Sequence, residues 1–188
     1  MQMIRSFIAV EIPDNVRSEI TRIISKTAEN DFGVKWVKHE NLHITLLFLG
    51  DVTNEFLQKG INELSAIAQT QKPFEMSFKN IGAFPSPRSP RIIWVGVEQG
   101  KNELTALQEK TENAFTGIGY KPEERKFHPH LTIGRVKERM SSTKVFETEY
   151  ISTSFLIKSV VLFKSTLMPQ GPIYEKIKEF YFLATDLH

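Results

Sequence analysis

The sequence repeats itself across its two halves, and this repeat strongly limits what the chain can fold into. Residues 43–46 (His-Ile-Thr-Leu) match residues 130–133 (His-Leu-Thr-Ile) at an offset of 87 residues, and residues 7–11 match residues 94–98 at the same offset. One such unit would leave a sheet face uncovered, whereas two units packed together bury it. We therefore expect one domain over residues 1–188, built from two lobes with matching strands around residues 5–50 and 91–137.

Composition excludes several classes of protein. Hydrophobic residues make up 40% of the chain, enough for a core, and the net charge of +2 argues against a polybasic DNA coat while leaving room for a local basic cleft. With no cysteine, disulfide scaffolds, zinc fingers and cysteine nucleophiles are excluded, and a cytoplasmic location is expected. No uncharged run is long enough for a membrane span or a signal core, so we expect no membrane association.

The elements that flank the repeat follow from hydrophobic periodicity. Strands are predicted over residues 5–12, 34–37, 42–49, 91–98 and 130–136, with a turn at Gly50-Asp51. Helices are predicted after Pro13-Asp14, after Thr53 as N-cap, and up to Gly117. Three prolines within residues 85–91 rule out a helix or a central strand, leaving a linker between lobes or a basic loop over a site.

The His-x-Thr pattern places two polar side chains on one face of each strand. Residues two apart on a strand share a face, so His43 and Thr45 point one way while Leu46 and Phe48 are expected to point the other. The same parity joins His130 to Thr132. If the two lobes oppose each other, two imidazoles and two hydroxyls meet across one cleft.

Two imidazoles in one cleft suit acid–base chemistry at phosphorus. Because an ordinary histidine titrates near neutral pH, one ring can be neutral and activate water while its twin is protonated and supplies a proton to a departing alkoxide. Threonine hydroxyls can donate hydrogen bonds to the non-bridging phosphate oxygens. The residues alone do not say which histidine is the acid.

A metal site is the competing interpretation of the histidines. Zinc needs three or four ligands, and only a trio of His128, His130 and His43 is conceivable, with Pro129 disturbing the strand alternation that it requires. We therefore expect no metal and no cofactor. His39 and His188 belong to no motif or candidate ligand group, and both are expected at the surface.

Segments beyond the two four-residue motifs, residues 43–46 and 130–133, extend the pattern. They are residues 5–10, 34–37, 41–50, 87–94, 127–136 and 171–175. With the two motifs, they resemble the 2H phosphoesterases, and most closely the RNA 2′,3′-cyclic phosphodiesterases, historically called 2′-5′ RNA ligases, whose hallmark is one His-x-Ser/Thr-x motif in each lobe. The resemblance covers nearly the whole chain.

This resemblance implies both a fold and an activity. The fold would be a bilobal α+β duplication, with two antiparallel sheets facing across a central cleft and helices on the outside. The activity would be metal-independent hydrolysis of an RNA 2′,3′-cyclic phosphate to a 2′-phosphomonoester. His43 would be the proton donor, His130 the proton acceptor, and Thr45 and Thr132 the phosphate-binding residues. Reversible 2′-5′ ligation of RNA, including tRNA halves, would be a second activity of the same site.

Other residues have weaker expectations. Arg88 and Arg91 either contact RNA phosphates or only keep the 85–91 segment soluble. Arg135 is expected on the face opposite His130, in a structural role. Phe7 and Trp36 could each stack a base, although core packing is the favoured interpretation.

Two other functions stay open on the sequence. One is a relative acting on 2′-5′ oligonucleotides or on a small cyclic-phosphate metabolite, and the other is a non-catalytic nucleotide-binding module. The presence of both histidines favours an enzyme over the module. The partners expected are RNA ends or short oligonucleotides, and the protein is expected to be a monomer.

Overall fold

The computed structural model describes residues 2–28, 33–140 and 143–183, in which the chain forms ten strands and three α-helices. His188 lies outside the described residues. The elements in chain order are β1 Met3–Glu11, α1 Asp14–Ala28, β2 Val34–Trp36, β3 His43–Thr53, α2 Asn54–Thr70, β4 Phe74–Met76, β5 Phe78–Ser86, β6 Ser89–Val97, α3 Lys101–Gly117, β7 His130–Val136, β8 Phe155–Ile157, β9 Ser159–Thr166 and β10 Ile173–Tyr181.

The first sheet contains four antiparallel strands in the order β10-β9-β1-β3. Alternation along β1 divides its side chains between two apolar clusters. Ile8 and Val10 are fully buried in the main core that the helices also enter. Phe7 and Ala9 lie on the other face, in a small cluster with residues of β9. One face of this sheet therefore packs on the core, and the other faces a cleft.

The second sheet also has four antiparallel strands, in the order β2-β7-β6-β5, and β4 pairs with β8 in a separate ribbon. The chain passes back and forth between the two larger sheets. β2 precedes β3 in sequence but pairs with β7, whereas β9 and β10 follow β7 but pair in the sheet of β1 and β3. Each sheet therefore draws strands from distant parts of the sequence.

The helices cover the core-facing sides of the sheets. α1 buries Val16, Ile20 and Ile24, and α2 begins at the predicted cap, where the Thr53 hydroxyl accepts a hydrogen bond from the Phe56 amide at 3.2 Å. Burial along these helices follows the helical period, as amphipathic helices on a sheet require. The predicted α+β class, with antiparallel sheets and helices outside, is confirmed. Among the described residues, no helix combines the length and apolar composition that crossing a membrane requires.

Two local predictions are wrong. No turn interrupts the chain at Gly50-Asp51, because β3 continues to Thr53 in register with the start of β1, and Gly50 has the positive φ of 70° that glycine tolerates best. The proline-rich segment is neither a linker nor a loop over a site. It is the tip of the β5–β6 hairpin. Prolines are tolerated there because Pro85 is on the edge strand β5, Pro87 is in the turn, and Pro90 precedes the part of β6 that pairs with β7.

Strand pairing also refines the internal repeat. Ala9 is paired with Thr45, and Trp94 is paired with Thr132. By this register, the equivalent positions of β1 and β6 are 85 residues apart, whereas those of β3 and β7 are 87 apart. The alignment of residues 7–11 with 94–98 is therefore displaced by two residues, a shift that leaves the facing of each side chain unchanged.

Candidate active site

A cleft of about 580 Å³ runs between the two sheets where β3 and β7 approach each other. The four residues of the two His-x-Thr motifs all line it. The other lining residues are Arg5, Phe7, Lys35, Trp36, Val37, Lys38, Asn41, Phe48, Arg135, Lys137, Ser165, Leu167, Gln170, Gly171, Pro172 and Tyr174. The structure thus brings together side chains that the sequence places 87 residues apart.

Both histidines are oriented by the same kind of hydrogen bond to a nearby backbone carbonyl. His43 Nδ1 donates a hydrogen bond to the carbonyl oxygen of Asn41 at 2.7 Å, and His130 Nδ1 donates to that of His128 at 2.6 Å. In each case the acceptor lies two residues before the histidine. The Asn41 turn is itself fixed, because its side-chain amide donates to the Pro172 carbonyl at 3.0 Å.

These bonds determine which ring nitrogen is available for chemistry. A backbone carbonyl only accepts hydrogen bonds, so Nδ1 of each ring carries a proton. The remaining nitrogen, Nε2, is then a base when the ring is neutral and a proton donor when the ring is charged. On His43, Nε2 lies 3.0 Å from the Thr45 hydroxyl oxygen. The reactive nitrogen of His43 is therefore beside the hydroxyl that the motif predicts.

Burial favours the neutral form of both rings. It lowers the pKa of His43 to about 4, and nearby Arg17 and Arg135 act in the same direction. Burial also lowers the pKa of His130, with His128 and Arg135 as additional causes. In the site without ligand, protonation of either imidazole is therefore disfavoured, and a bound anion would favour it.

Aromatic rings form the walls around the histidines. Phe7 packs against the His43 ring at 4.8 Å between centroids, and Tyr174 meets it edge-on at 5.2 Å. On the opposite sheet, Phe84 meets His130 edge-on at 5.2 Å. Phe7 is only 3% exposed, which fits the packing role favoured from sequence, and Trp36 is partly buried against the main core.

A β-bulge in each motif strand turns one further side chain into the cleft. In β3, Thr45 and Leu47 pair with the neighbouring residues Ala9 and Ile8 of β1, so Leu46 is the extra residue. In β7, Thr132 and Gly134 pair with the neighbouring residues Trp94 and Ile93 of β6, so Ile133 is the extra residue. Each extra residue reverses the alternation beyond it. Phe48 and Arg135 therefore line the cleft, and the prediction that they face away from it is wrong.

The cleft is cationic although the chain is nearly neutral. Its lining includes five cationic side chains and no carboxylate: Arg5, Lys35, Lys38, Arg135 and Lys137. Within the described residues, only Arg5 of these has a carboxylate partner, Asp51 at 3.8 Å. Lys35 and Arg135 are direct cross-strand partners, a like-charge pairing that is unfavourable without an anion nearby. The arrangement suits a negatively charged ligand.

The remaining predicted residues lie elsewhere. Arg88 and Arg91 sit at the tip of the β5–β6 hairpin, outside the lining of the cleft. His39 is not isolated, because its Nε2 lies 2.9 Å from an Asp14 carboxylate oxygen and its Nδ1 lies 3.1 Å from the Thr21 hydroxyl. In the parts of the chain that the structure describes, no group of three or more acidic, histidine or cysteine side chains could hold a metal ion.

Sequence reasoning missed most of the cationic lining. A signal existed for Arg5, which shares strand parity with Phe7 two residues later. None existed for Lys35, because its place in the cleft depends on β2 pairing with β7, one hundred residues further along the chain. Tyr174 likewise reaches His43 only because β10 joins the first sheet.

Comparison with protein families gives a match over most of the chain. The family model described as LigT like Phosphoesterase matches it twice, at residues 10–94 and 95–174. An RNA 2′,3′-cyclic phosphodiesterase of Archaeoglobus fulgidus is 39% identical over 94% of this chain and 99% of its own length. A protein of the same name from Bacillus subtilis is 31% identical over 93% of this chain and 94% of its own length.

Solved structures share the same fold. The crystal structure of TT0787 of Thermus thermophilus is similar with a TM-score of 0.85 and 25% identity, covering 95% of this chain and 97% of that one. E. coli LigT complexed with 3′-AMP is similar in fold, with a TM-score of 0.79 and 23% identity over 97% of this chain and 100% of that one.

Proposed function

Because the chain belongs to the LigT-like phosphoesterase family, we propose that it hydrolyses the 2′,3′-cyclic phosphate at an RNA end to a 2′-phosphomonoester. One observation carries the proposal beyond the family. Two histidines lie in one cationic cleft, and each has its Nδ1 hydrogen-bonded to the carbonyl oxygen two residues before it. Each also lies two residues before a threonine that lines the same cleft. Such a pair offers a base and an acid to the two sides of one phosphorus.

The proposed reaction is an in-line displacement. Neutral His130 accepts a proton from water at Nε2, and the water oxygen bonds to phosphorus. The bond from phosphorus to the 3′ oxygen breaks, and Nε2 of protonated His43 gives its proton to that oxygen. The assignment of His43 as donor and His130 as acceptor comes from the family resemblance, since both rings have the same hydrogen bond at Nδ1. The phosphate remains on the 2′ oxygen.

The two threonines and Arg135 would stabilise the charge on phosphorus. When His43 is protonated, its Nε2 no longer accepts a hydrogen bond from the Thr45 hydroxyl, so the threonine proton is free for a phosphate oxygen. Thr132 is the equivalent donor on β7. The guanidinium of Arg135 has donors for charge-assisted bonds to the non-bridging oxygens and has no carboxylate partner among the described residues.

The same groups would catalyse 2′-5′ ligation if an RNA 5′-hydroxyl took the place of water. We include this ligation in the proposal. We also propose that the protein acts as a single bilobal domain over residues 1–188, as a monomer and without metal or cofactor. A cytoplasmic location remains a prediction. Arg88 and Arg91 remain candidates for RNA contacts remote from the cleft.

The test compares His43→Ala and His130→Ala on a 2′,3′-cyclic nucleotide in the presence of a chelator. Removing a positioned acid or base costs about 10²–10⁴-fold in rate, so each variant should be nearly inactive. His39→Ala is the matched control, since His39 lies outside the cleft, and it should keep the wild-type rate. Wild-type turnover by either cleft variant would overturn the mechanism.

Two further measurements separate roles and substrates. A substrate with an activated leaving group needs little protonation, so it should rescue His43→Ala selectively, and rescue of His130→Ala instead would reverse the assignment. A 2′-5′ linked dinucleotide assayed in parallel should be the poorer substrate. Preference for it would favour the alternative of a 2′-5′ oligonucleotide phosphodiesterase.

A further inference from the structure

A second depression lies beside the cleft and shares one wall with it. It has a volume of about 470 Å³ and is lined in part by three aromatic rings, those of Phe48, Phe56 and Tyr120, and by Met3. Phe48 lines both the cleft and this depression. We call it the aromatic depression, and it plays no part in the proposed reaction at phosphorus.

The shared wall is an exposed ring that has a cation on one side. Phe48 is 40% exposed, and the Arg5 guanidinium lies over its ring at 4.7 Å from the centroid. Arg5 lines the cleft and is not among the residues that line the depression. Exposing an aromatic ring to water is unfavourable. A planar apolar ligand on the other side would relieve that exposure.

The rim of the depression is held in place by a hydrogen bond from a side chain to the backbone. The Tyr120 hydroxyl donates to the Phe48 carbonyl oxygen at 3.3 Å, which ties the segment after α3 to β3. Gly119, with a φ of 104°, makes the turn that brings Tyr120 to this position. Phe48 and Tyr120 therefore belong to one connected part of the wall of the depression.

We propose that the aromatic depression binds the base of the nucleotide next to the reacting one. This inference rests on the proposed function. An RNA strand that ends in a 2′,3′-cyclic phosphate continues only in the 5′ direction, so the cleft needs one exit for the preceding nucleotide. Phe48 lies three residues beyond Thr45 on β3, roughly 10 Å along the strand, where a neighbouring nucleotide would leave the cleft.

The chemistry of the depression favours a base over a phosphate. Its lining contains two carboxylates, Asp51 and Glu123, against one cation, Lys121. Carboxylates repel a phosphate but accept hydrogen bonds from the amino groups of bases. Aromatic rings stack on any base, whatever its sequence. The cleft would therefore bind the phosphate of the RNA end, and the depression the preceding base.

The test measures kcat/KM on three substrates that end in a 2′,3′-cyclic phosphate: a mononucleotide, a dinucleotide, and a dinucleotide whose 5′ unit lacks its base. For the wild-type enzyme the ordinary dinucleotide should be preferred by about 5- to 100-fold, the range expected from one base stacked on an aromatic ring. The abasic dinucleotide should fall back towards the mononucleotide. An equal gain with the abasic substrate would show phosphate binding instead and would overturn the proposal.

Variants then locate the effect. Phe48→Ala should reduce the ratio of dinucleotide to mononucleotide kcat/KM towards one, whereas Phe48→Trp should preserve it. Tyr181→Ala removes an exposed aromatic ring outside both cavities and should leave the ratio unchanged. An unchanged ratio in Phe48→Ala, or equal losses on all three substrates, would overturn the inference. Failure of the wild-type enzyme on every substrate would instead overturn the proposed function.

Discussion

At the scale of single residues, the histidine chemistry depends on interactions that are local in sequence. Each imidazole is oriented by the carbonyl group two residues before it and stands on the cleft side with the threonine two residues after it. Parity along an extended strand is enough to place such groups. Parity therefore predicts that His43 shares a face with Thr45 and that His130 shares a face with Thr132. The prediction that the two pairs meet in one cleft needed the repeat and the family resemblance as well.

The lowered pKa values of both histidines predict an acidic optimum for kcat/KM. The pKa of His43 is lowered from 6.5 to about 4 and that of His130 is also lowered, so the free enzyme carries a single proton on the pair only below about pH 6.5. The basic limb of kcat/KM should therefore have its midpoint below pH 6.5. The kcat profile should lie at higher pH, because a bound phosphodiester anion favours imidazolium.

Initial rates at low and at saturating substrate across the acid and neutral range give the two profiles. His39→Ala should reproduce both of them, because His39 is outside the cleft. A basic limb of kcat/KM whose midpoint lies above pH 6.5 would contradict the lowered pKa of the two histidines.

At the scale of secondary-structure elements, the two β-bulges decide what the cleft contains. Beyond the bulge in β3 the cleft-facing residue is Phe48, and at the equivalent place in β7 it is Arg135. Simple alternation placed both on the wrong face, because a bulge depends on the partner strand as well as on the strand itself. One lobe thus presents an aromatic ring where the other presents a guanidinium.

Gly134 sits at the β7 bulge and leaves room for β2. A Cβ atom there would lie 2.9 Å from side-chain atoms of both Val34 and Trp36, so Gly134→Ala should displace β2 and lower the free energy of unfolding by about 1–3 kcal/mol. Because Lys35 and Trp36 line the cleft, kcat/KM should fall as well. Denaturant unfolding and steady-state kinetics measure the two effects.

Gly117→Ala is the matched control. A Cβ atom at Gly117, the last residue of α3, meets nothing within 4 Å. The substitution should be neutral or stabilising by about 0.5 kcal/mol. If Gly134→Ala behaved in the same way, the close packing of β2 on the bulge would be wrong.

At the scale of the whole molecule, the charge is distributed unevenly. The net charge is only +2, yet the cleft lining has five cations and no carboxylate. The sequence could not predict this distribution, because the cations come from β1, β2, β7 and the segments next to them, and only the strand order brings these elements together. Net charge therefore says little about the field that an anionic ligand meets at the cleft.

The cationic lining predicts a salt-dependent affinity for RNA. For a single strand, the slope of log affinity against log salt concentration is about −0.7 per phosphate contacted. Lys35→Ala should make the slope shallower by about this amount in an inactive His43→Ala background. Lys59→Ala, which removes a cation paired with Glu55 on α2, should leave the slope unchanged. Equal effects of the two substitutions would indicate diffuse charge instead of a phosphate contact in the cleft.

The order of strands in the first sheet has a consequence for biosynthesis. β1 is made first, but Ser6–Ala9 of this strand pair with Val161–Lys164 of β9, and β10 completes the sheet behind them. A nascent chain that already contains both histidines still lacks Phe163 and Tyr174, which pack around the His43 pocket. Pairing between such distant segments is slow compared with local structure formation. Until β9 is synthesised, Ser6–Ala9 lack their partner strand on one side, and the lining of the cleft is complete only when translation has passed Tyr174.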